Sequence, residues 1–170
     1  MKRDLKKLAS SSQNCLWSYS LTHYARAGVS DQCLSLQDDY EANINILLLC
    51  CWLGSNGSEI GNKDLIAAWE KIMQWEACIV KPLRQARKFV ASSSLMEDGA
   101  SVIVKLKDLE LAAEKKTQEI LYCWTQAQDL TTHDVIGTEW QIANLNTYLT
   151  ILDAPKVSAE NPLLFHANVS

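Results

Sequence analysis

Residues 44–53 read Ile-Asn-Ile-Leu-Leu-Leu-Cys-Cys-Trp-Leu, the most apolar stretch in the chain. A helix made from this run has almost no polar face to give to water, so it must be covered on every side. The run is also only about half the roughly 20 residues that a bilayer-spanning helix needs. The chain therefore has to build a globular shell around it. Its 170 residues are enough to do so in one domain, burying roughly 70% of the unfolded surface.

The segment feeding this helix is as polar as the helix is apolar. Residues 37–43 are Gln-Asp-Asp-Tyr-Glu-Ala-Asn. A preceding helix, about residues 31–40, is expected to be capped by Ser30 or Asp31 and to turn Cys33, Leu34 and Leu36 inward. Asp38, Asp39 and Glu41 then fall at its C-terminal end, where the helix dipole disfavours negative charge. Capping of the next helix, a cation or a substrate could offset that cost. Asn43 or Asn45 suits the N-cap of the apolar helix, and Gly54-Ser-Asn-Gly57 supplies turn chemistry to end it.

The remaining elements read from helical periodicity. A first helix over about residues 13–27 carries Leu16, Trp17, Leu21 and Tyr24 on one face, with Gly28 placed to stop it. From 63 to 92 the series Leu65, Trp69, Ile72, Glu76, Ile79, Leu83, Ala86 and Val90 is heptad-like, and Asn62 is the expected cap. Pro82 lacks an amide proton and clashes with the carbonyl of Cys78, which calls for a kink or break. Lys81, Arg84, Arg87 and Lys88 form a basic stripe, expected on the outer face. A second long helix, about 101–128, has Val102, Leu106, Leu109, Ala113, Ile120 and Trp124 in line, with Lys116 and Thr117 in the gap. The two long helices fit an antiparallel hairpin. A last helix, about 138–152, buries Ile142, Leu145, Leu149 and Leu152 before Pro155.

These elements add up to an all-α, single-domain bundle of about five or six helices around a short buried one, with a long antiparallel helical hairpin. Residues 1–12 form a flexible, solvated N-terminus whose lysines could alternatively meet an anionic surface, 13–152 the bundle, and 153–170 a C-terminal tail. The net charge of −4 argues against a nucleic-acid partner. None of the six cysteines forms a C-x-x-C pair, each has apolar neighbours, and no secretory signal precedes them; reduced thiols in a cytoplasm are the expectation.

Leu-Trp-x-Tyr-x-Leu-x-x-Tyr from Leu16, Gly28-Val29, Cys33-Leu34-x-Leu36-Gln37-Asp38 and Asn45-x-Leu47-Leu48-x-Cys50-x-Trp52-Leu53-Gly54 resemble one protein family. It is an uncharacterised proteobacterial family of conserved hypothetical proteins, classed as a domain of unknown function. Trp75, Val80, Leu83, Arg84 and Arg87 look like its second block. Ala27 stands where proline is expected and Glu41 where glycine is expected. The resemblance implies a small, soluble, mostly helical bacterial protein and brings no activity with it.

Motif chemistry is sparse. No Glu-x-x-His pair, H-E-x-x-H motif, phosphate-binding glycine loop or G-x-S-x-G elbow occurs, so neither a cofactor nor a metal is expected. The candidate polar cluster is Trp17, Gln37, Asp38, Asn43, Asn45, Arg84 and Arg87. In the plain reading the amides and carboxylate satisfy backbone groups at a helix junction, and the arginines are solvated or paired with Asp38 or Asp39. In the sharper reading Asp38 is a base or ligand anchor, its pKa raised beside the apolar helix, and Arg84 with Arg87 clamps a carboxylate or phosphate. The six tryptophans, with His23 and Tyr24 near Trp17, belong mostly to the core. The expected function is a non-catalytic interaction or regulatory module presenting the hairpin to a protein partner or a second copy. The rival is an enzyme or small-ligand binder with a cleft at the polar cluster.

Overall fold

The computed structural model describes residues 14–93, 99–134 and 136–164; the basic N-terminal stretch, the tip of the expected hairpin loop and the last six residues lie outside them. The described residues are all-α apart from a two-residue antiparallel ladder, Ser58–Glu59 (β1) with Thr131–Thr132 (β2). Its helices are Cys15–Tyr24 (α1), Val29–Tyr40 (α2), Ile44–Ser55 (α3), Asn62–Trp75 (α4), Lys81–Ser92 (α5), Gly99–Thr125 (α6) and Thr138–Ile151 (α7), with a π turn, Glu76–Val80, joining α4 to α5. The described residues fall into two compact units, 14–60 with 130–164, and 61–129.

The first unit is organised around α3. Asn43 is its N-cap, its side-chain Oδ1 accepting from the Ile46 amide at 3.2 Å. From Asn45 to Leu53 every residue but Trp52 is buried, and α3 packs against α1, α2, α7 and β1. Gly54 does not end this helix but lies within it, and a methyl group there would sit 2.4 Å from the Gln141 backbone nitrogen of α7. The glycine is a contact surface: it lets two helix backbones meet closely. Asn144 of α7 secures the same crossing, donating to the carbonyls of Cys50 at 3.3 Å and Ser58 at 2.9 Å and accepting from the Ile60 amide at 2.9 Å.

Several caps differ from expectation by a few residues. Asn14 caps α1 and accepts from Trp17 N–H at 3.1 Å, and α1 stops at Ala25 rather than at Gly28. Gly28, with φ +80°, instead opens α2, so neither Ser30 nor Asp31 is the cap. The inward face of α1 is Leu16, Ser20 and His23, with Leu21 turned to solvent, and on α2 Leu34 is likewise exposed. On α7 the buried line is Gln141, Asn144, Leu145, Tyr148 and Leu149, with Ile142 and Leu152 only half-buried. Gly61, not Asn62, is the N-cap of α4.

The second unit is the helical hairpin. The π turn is the form taken by the break expected near Pro82: the Lys81 amide reaches back five residues to the Glu76 carbonyl. A π turn holds about one residue more than an α turn and so shifts the phase of everything after it. Up to the first residue of the turn Leu65, Ala68, Ile72 and Glu76 are buried as a regular stripe. Within the turn Val80 is buried and Ile79 exposed, and after it Ala86 is exposed while Leu83 and Val90 are half-buried. The heptad pattern is continuous in sequence but interrupted in space. On α6 the pattern also rotates, with Glu110, Ala113, Thr117, Leu121 and Trp124 buried and Leu109 exposed.

Candidate functional site

The polar segment between α2 and α3 resolves into helix terminus chemistry. Glu41 takes a left-handed conformation, φ +57°, and its amide donates to the Leu36 carbonyl, as does that of Ala42 at 3.1 Å. This is a C-cap that glycine fills with least strain, which accounts physically for the glycine expected there. The Asn43 amide donates to the Tyr148 hydroxyl at 2.9 Å. Asn45 is buried, Gln37 half-buried and Asp38 exposed. Asp39 and Glu41 are exposed too, and Asp39 accepts from Ser35 Oγ at 3.0 Å. Water therefore offsets the unfavourable dipole by solvating the carboxylates, while the backbone caps satisfy the carbonyls. Trp17 is half-buried on α1.

Five of the seven candidate residues thus belong to the first unit, and Arg84 and Arg87 to the second. The arginines do not stand on an outer face with Lys81 and Lys88; they turn toward α6. Arg84 donates through Nε to Glu110 at 2.9 Å and through Nη2 to Glu114 at 2.8 Å, and Arg87 donates to both Glu110 oxygens. One turn away Glu76, 2% exposed, accepts from Thr117 Oγ at 2.9 Å, and Trp75 Nε1 donates to the Ala113 carbonyl at 3.1 Å.

The two glutamates respond oppositely to this setting. Burial works to raise the Glu110 pKa, but hydrogen bonds from Arg87 and Arg84 outweigh it and hold the carboxyl below its usual range. Burial also raises Glu114, and here it prevails: Arg84 opposes it alone, while Glu110 and Glu76 add negative charge. Both guanidiniums are correspondingly held more firmly protonated, for Arg84 against the opposing effect of burial. Such a network fixes the register of two helices. Its donors face carboxylates of the protein itself.

Two arrangements went unseen in the sequence. The first joins the C-terminal segment to α1. His23, 1% exposed, bonds through Nε2 to the Leu163 carbonyl at 2.9 Å and stacks on Tyr19, and Arg26 donates to the Leu164 carbonyl at 3.1 Å. Burial lowers the His23 pKa to about 4, with the Leu163 carbonyl opposing and Arg26 adding to the shift. The second is His133, stacked on Trp140 with ring centroids 3.5 Å apart and 3.2 Å from a Glu59 carboxylate oxygen. A signal for the first existed in Leu163-Leu164, a paired apolar step at the end of a polar segment; the second depends on the β1–β2 ladder, for which two-residue strands leave no periodicity.

The cysteines divide. Cys33, Cys50 and Cys51 are buried, and burial pushes the Cys33 thiol up to about 12 and the other two upward as well. Cys15, Cys78 and Cys123 are exposed, so apolar sequence neighbours did not mean burial for them. Among the described residues no group of three or more His, Cys, Asp or Glu is placed to hold a metal ion, and no helix is long and apolar enough to cross a membrane.

A family model described as a protein of unknown function, DUF2390, matches residues 15–121. No curated protein and no solved structure matches the chain. The matched span runs from the start of α1 through α3, the π turn and both arginines to Leu121 of α6.

Proposed function

The chain belongs to the DUF2390 family of proteins of unknown function, and we propose that it acts as a non-catalytic interaction module. Its setting is the bacterial cytoplasm, and its contact surface is the outer face of the hairpin's α5–α6 half. One observation carries this reading: α5 has no buried residue, although it is amphipathic. Ile79, Ala86 and Phe89, at steps of seven and three, share a face of the rod with Leu83 and Val90. Phe89 is 65% exposed and Ile79 36%, and on α6 Leu109 is 56% exposed. The phase shift at the π turn is what brings these side chains to the surface, because it hands the inward positions to Val80, Arg84 and Arg87. Aromatic and aliphatic anchors grouped on one rigid face are the usual material of a binding hot spot.

The enzyme reading has less to stand on, since Asp38 is solvated and Arg84 and Arg87 are occupied by Glu110 and Glu114. The test is the native size of the protein in fresh cell extract. Wild type is expected to migrate well above 19.1 kDa, and a Phe89→Asp, Leu109→Asp variant of unchanged circular dichroism to migrate as a monomer. A monomeric wild type, or a variant that keeps the larger size, would rule the reading out.

A further inference from the structure

We propose that the partner of this face is a second copy of the chain, laid antiparallel on the first so that two hairpins close into a four-helix bundle. The proposal rests on the contact-surface reading above and adds to it the identity of the occupant.

The face is defined by the Arg84–Glu114 ion pair, which joins α5 and α6 on one side of the hairpin. At about 100° per residue, Ala86 lies about 200° round α5 from Arg84, and Leu109 about 140° round α6 from Glu114. Both therefore belong to the side away from that pair. On α5 this side carries Pro82, Leu83, Ala86, Phe89 and Val90. On α6 it carries Lys105, Leu109, Ala112, Lys116 and Glu119, at steps of four, three, four and three, with Asp108 at its edge. These α6 side chains are all exposed.

Both lines are self-complementary about an alanine. Lys105 and Glu119 each lie seven residues from Ala112, and Asp108 and Lys116 each lie four. A two-fold axis through Ala112 would therefore set Lys105 against Glu119 of the second copy and Asp108 against Lys116, opposite charges in both pairs, and Leu109 against the aliphatic stem of Lys115. On α5 Leu83 and Phe89 stand three residues either side of Ala86, and Pro82 and Val90 four. The same operation pairs Leu83 with Phe89 and Pro82 with Val90, apolar in every case.

One axis can serve both lines. Arg84 reaches Glu110 and Glu114, and Arg87 reaches Glu110, which places Ala86 and Ala112 at about the same height on the antiparallel pair. An axis across the hairpin at that height lays α5 on α5 and α6 on α6, with alanine at both crossings where backbones come closest. Interaxial distances of about 8–10 Å need small residues at the contact, and a closed two-fold dimer uses the same patch on both copies. The Lys116–Glu119 pair within one chain, about half-exposed on both sides, is too weakly held to stand in the way.

Sedimentation velocity over about a hundredfold range of concentration tests this, with charge exchange as the probe. The purified chain should pass from monomer to dimer. Lys105→Glu places two like-charge pairs in the interface and should weaken the dimer about tenfold or more, as should Glu119→Lys. The double variant, Lys105→Glu with Glu119→Lys, restores opposite charges and should return to within about threefold of wild type. Both residues concerned are exposed, and unchanged circular dichroism controls for folding. A wild type that stays monomeric overturns the proposal, as does a dimer indifferent to the single reversals or not rescued by the exchange. If the purified chain is monomeric while the complex in extract persists, the occupant is another protein and the contact-surface reading stands. If both are monomeric, the two fall together.

Discussion

The helices α3 and α5 have the same length, twelve residues, and opposite fates: α3 buries nine residues and α5 none. The difference does not come from helix-forming ability. The α5 sequence, rich in Ala, Arg, Lys, Gln and Leu, is the better helix former of the two, whereas α3 with its isoleucines and cysteines is held by tertiary packing. Within its unit α5 packs along α6, and Arg84 and Arg87 anchor it there to two glutamates. An apolar side chain in α3 therefore stabilises the fold, and one on the outer face of α5 is available for another use.

The contrast can be broken at several points, and the largest effect belongs to the core. Leu47→Ala, at a fully buried position of α3, should cost about 2–5 kcal/mol in urea unfolding. A cost below about 1 kcal/mol would mean that α3 is not the centre of its unit. The next effect is a pH dependence carried by His23. The native imidazole titrates at about 4 because it is buried, against 6.5 unfolded. Between those values the unfolded chain holds a proton that the native chain does not, so stability falls as pH drops from 6.5 toward 4. The total loss is on the order of 3 kcal/mol. Unfolding midpoints at pH 7, 5.5 and 4 should show that slope in wild type and a shallower one in His23→Gln; equal slopes would remove His23 as the cause.

Smaller shifts follow at the two unusual backbone positions. Gly54→Ala drives a methyl group into the Gln141 backbone and should lower stability by about 1–3 kcal/mol; a neutral result would mean that the α3–α7 crossing opens freely. Glu41→Gly relieves a left-handed side-chain residue and should gain about 0.5–1 kcal/mol. No gain in the thermal midpoint would show the cap to be unstrained. Smallest of all, Phe89→Ser should change monomer stability by less than about 0.5 kcal/mol, although it removes an aromatic ring. A loss comparable to that of Leu47→Ala would place Phe89 in a core and end the contrast.

Much of the fold was legible in the sequence because its strongest signals are local. The apolar run 44–53, an asparagine N-cap at 43 or 45 and the periodicity of the long helices each depend on residues within a few turns of one another. The errors along the α4–α5 rod share one origin. Inward faces were extrapolated along a regular period, and the π turn shifted that period, so Ile79 and Ala86 went out where Val80 and Arg84 came in. Pro82 marked the place but not the remedy, since a kink, a break and an inserted residue all answer the same missing hydrogen bond. The candidate polar cluster was half legible. Position alone narrowed the cap to Asn43 or Asn45, whereas the Arg84 and Arg87 partners lie more than twenty residues away on α6. The His23–Leu163 bond spans 140 residues, beyond any local pattern.

The central claim is that the outer face of α5 is a contact surface while α3 is core. Site-specific photo-crosslinking in living cells tests it most directly, with a benzophenone side chain placed at position 89 and, as control, at the exposed position 21 of α1. Position 89 should give a discrete protein adduct, of twice the chain mass if the partner is a second copy, and position 21 none. An unmodified 19.1 kDa band from both positions would contradict it.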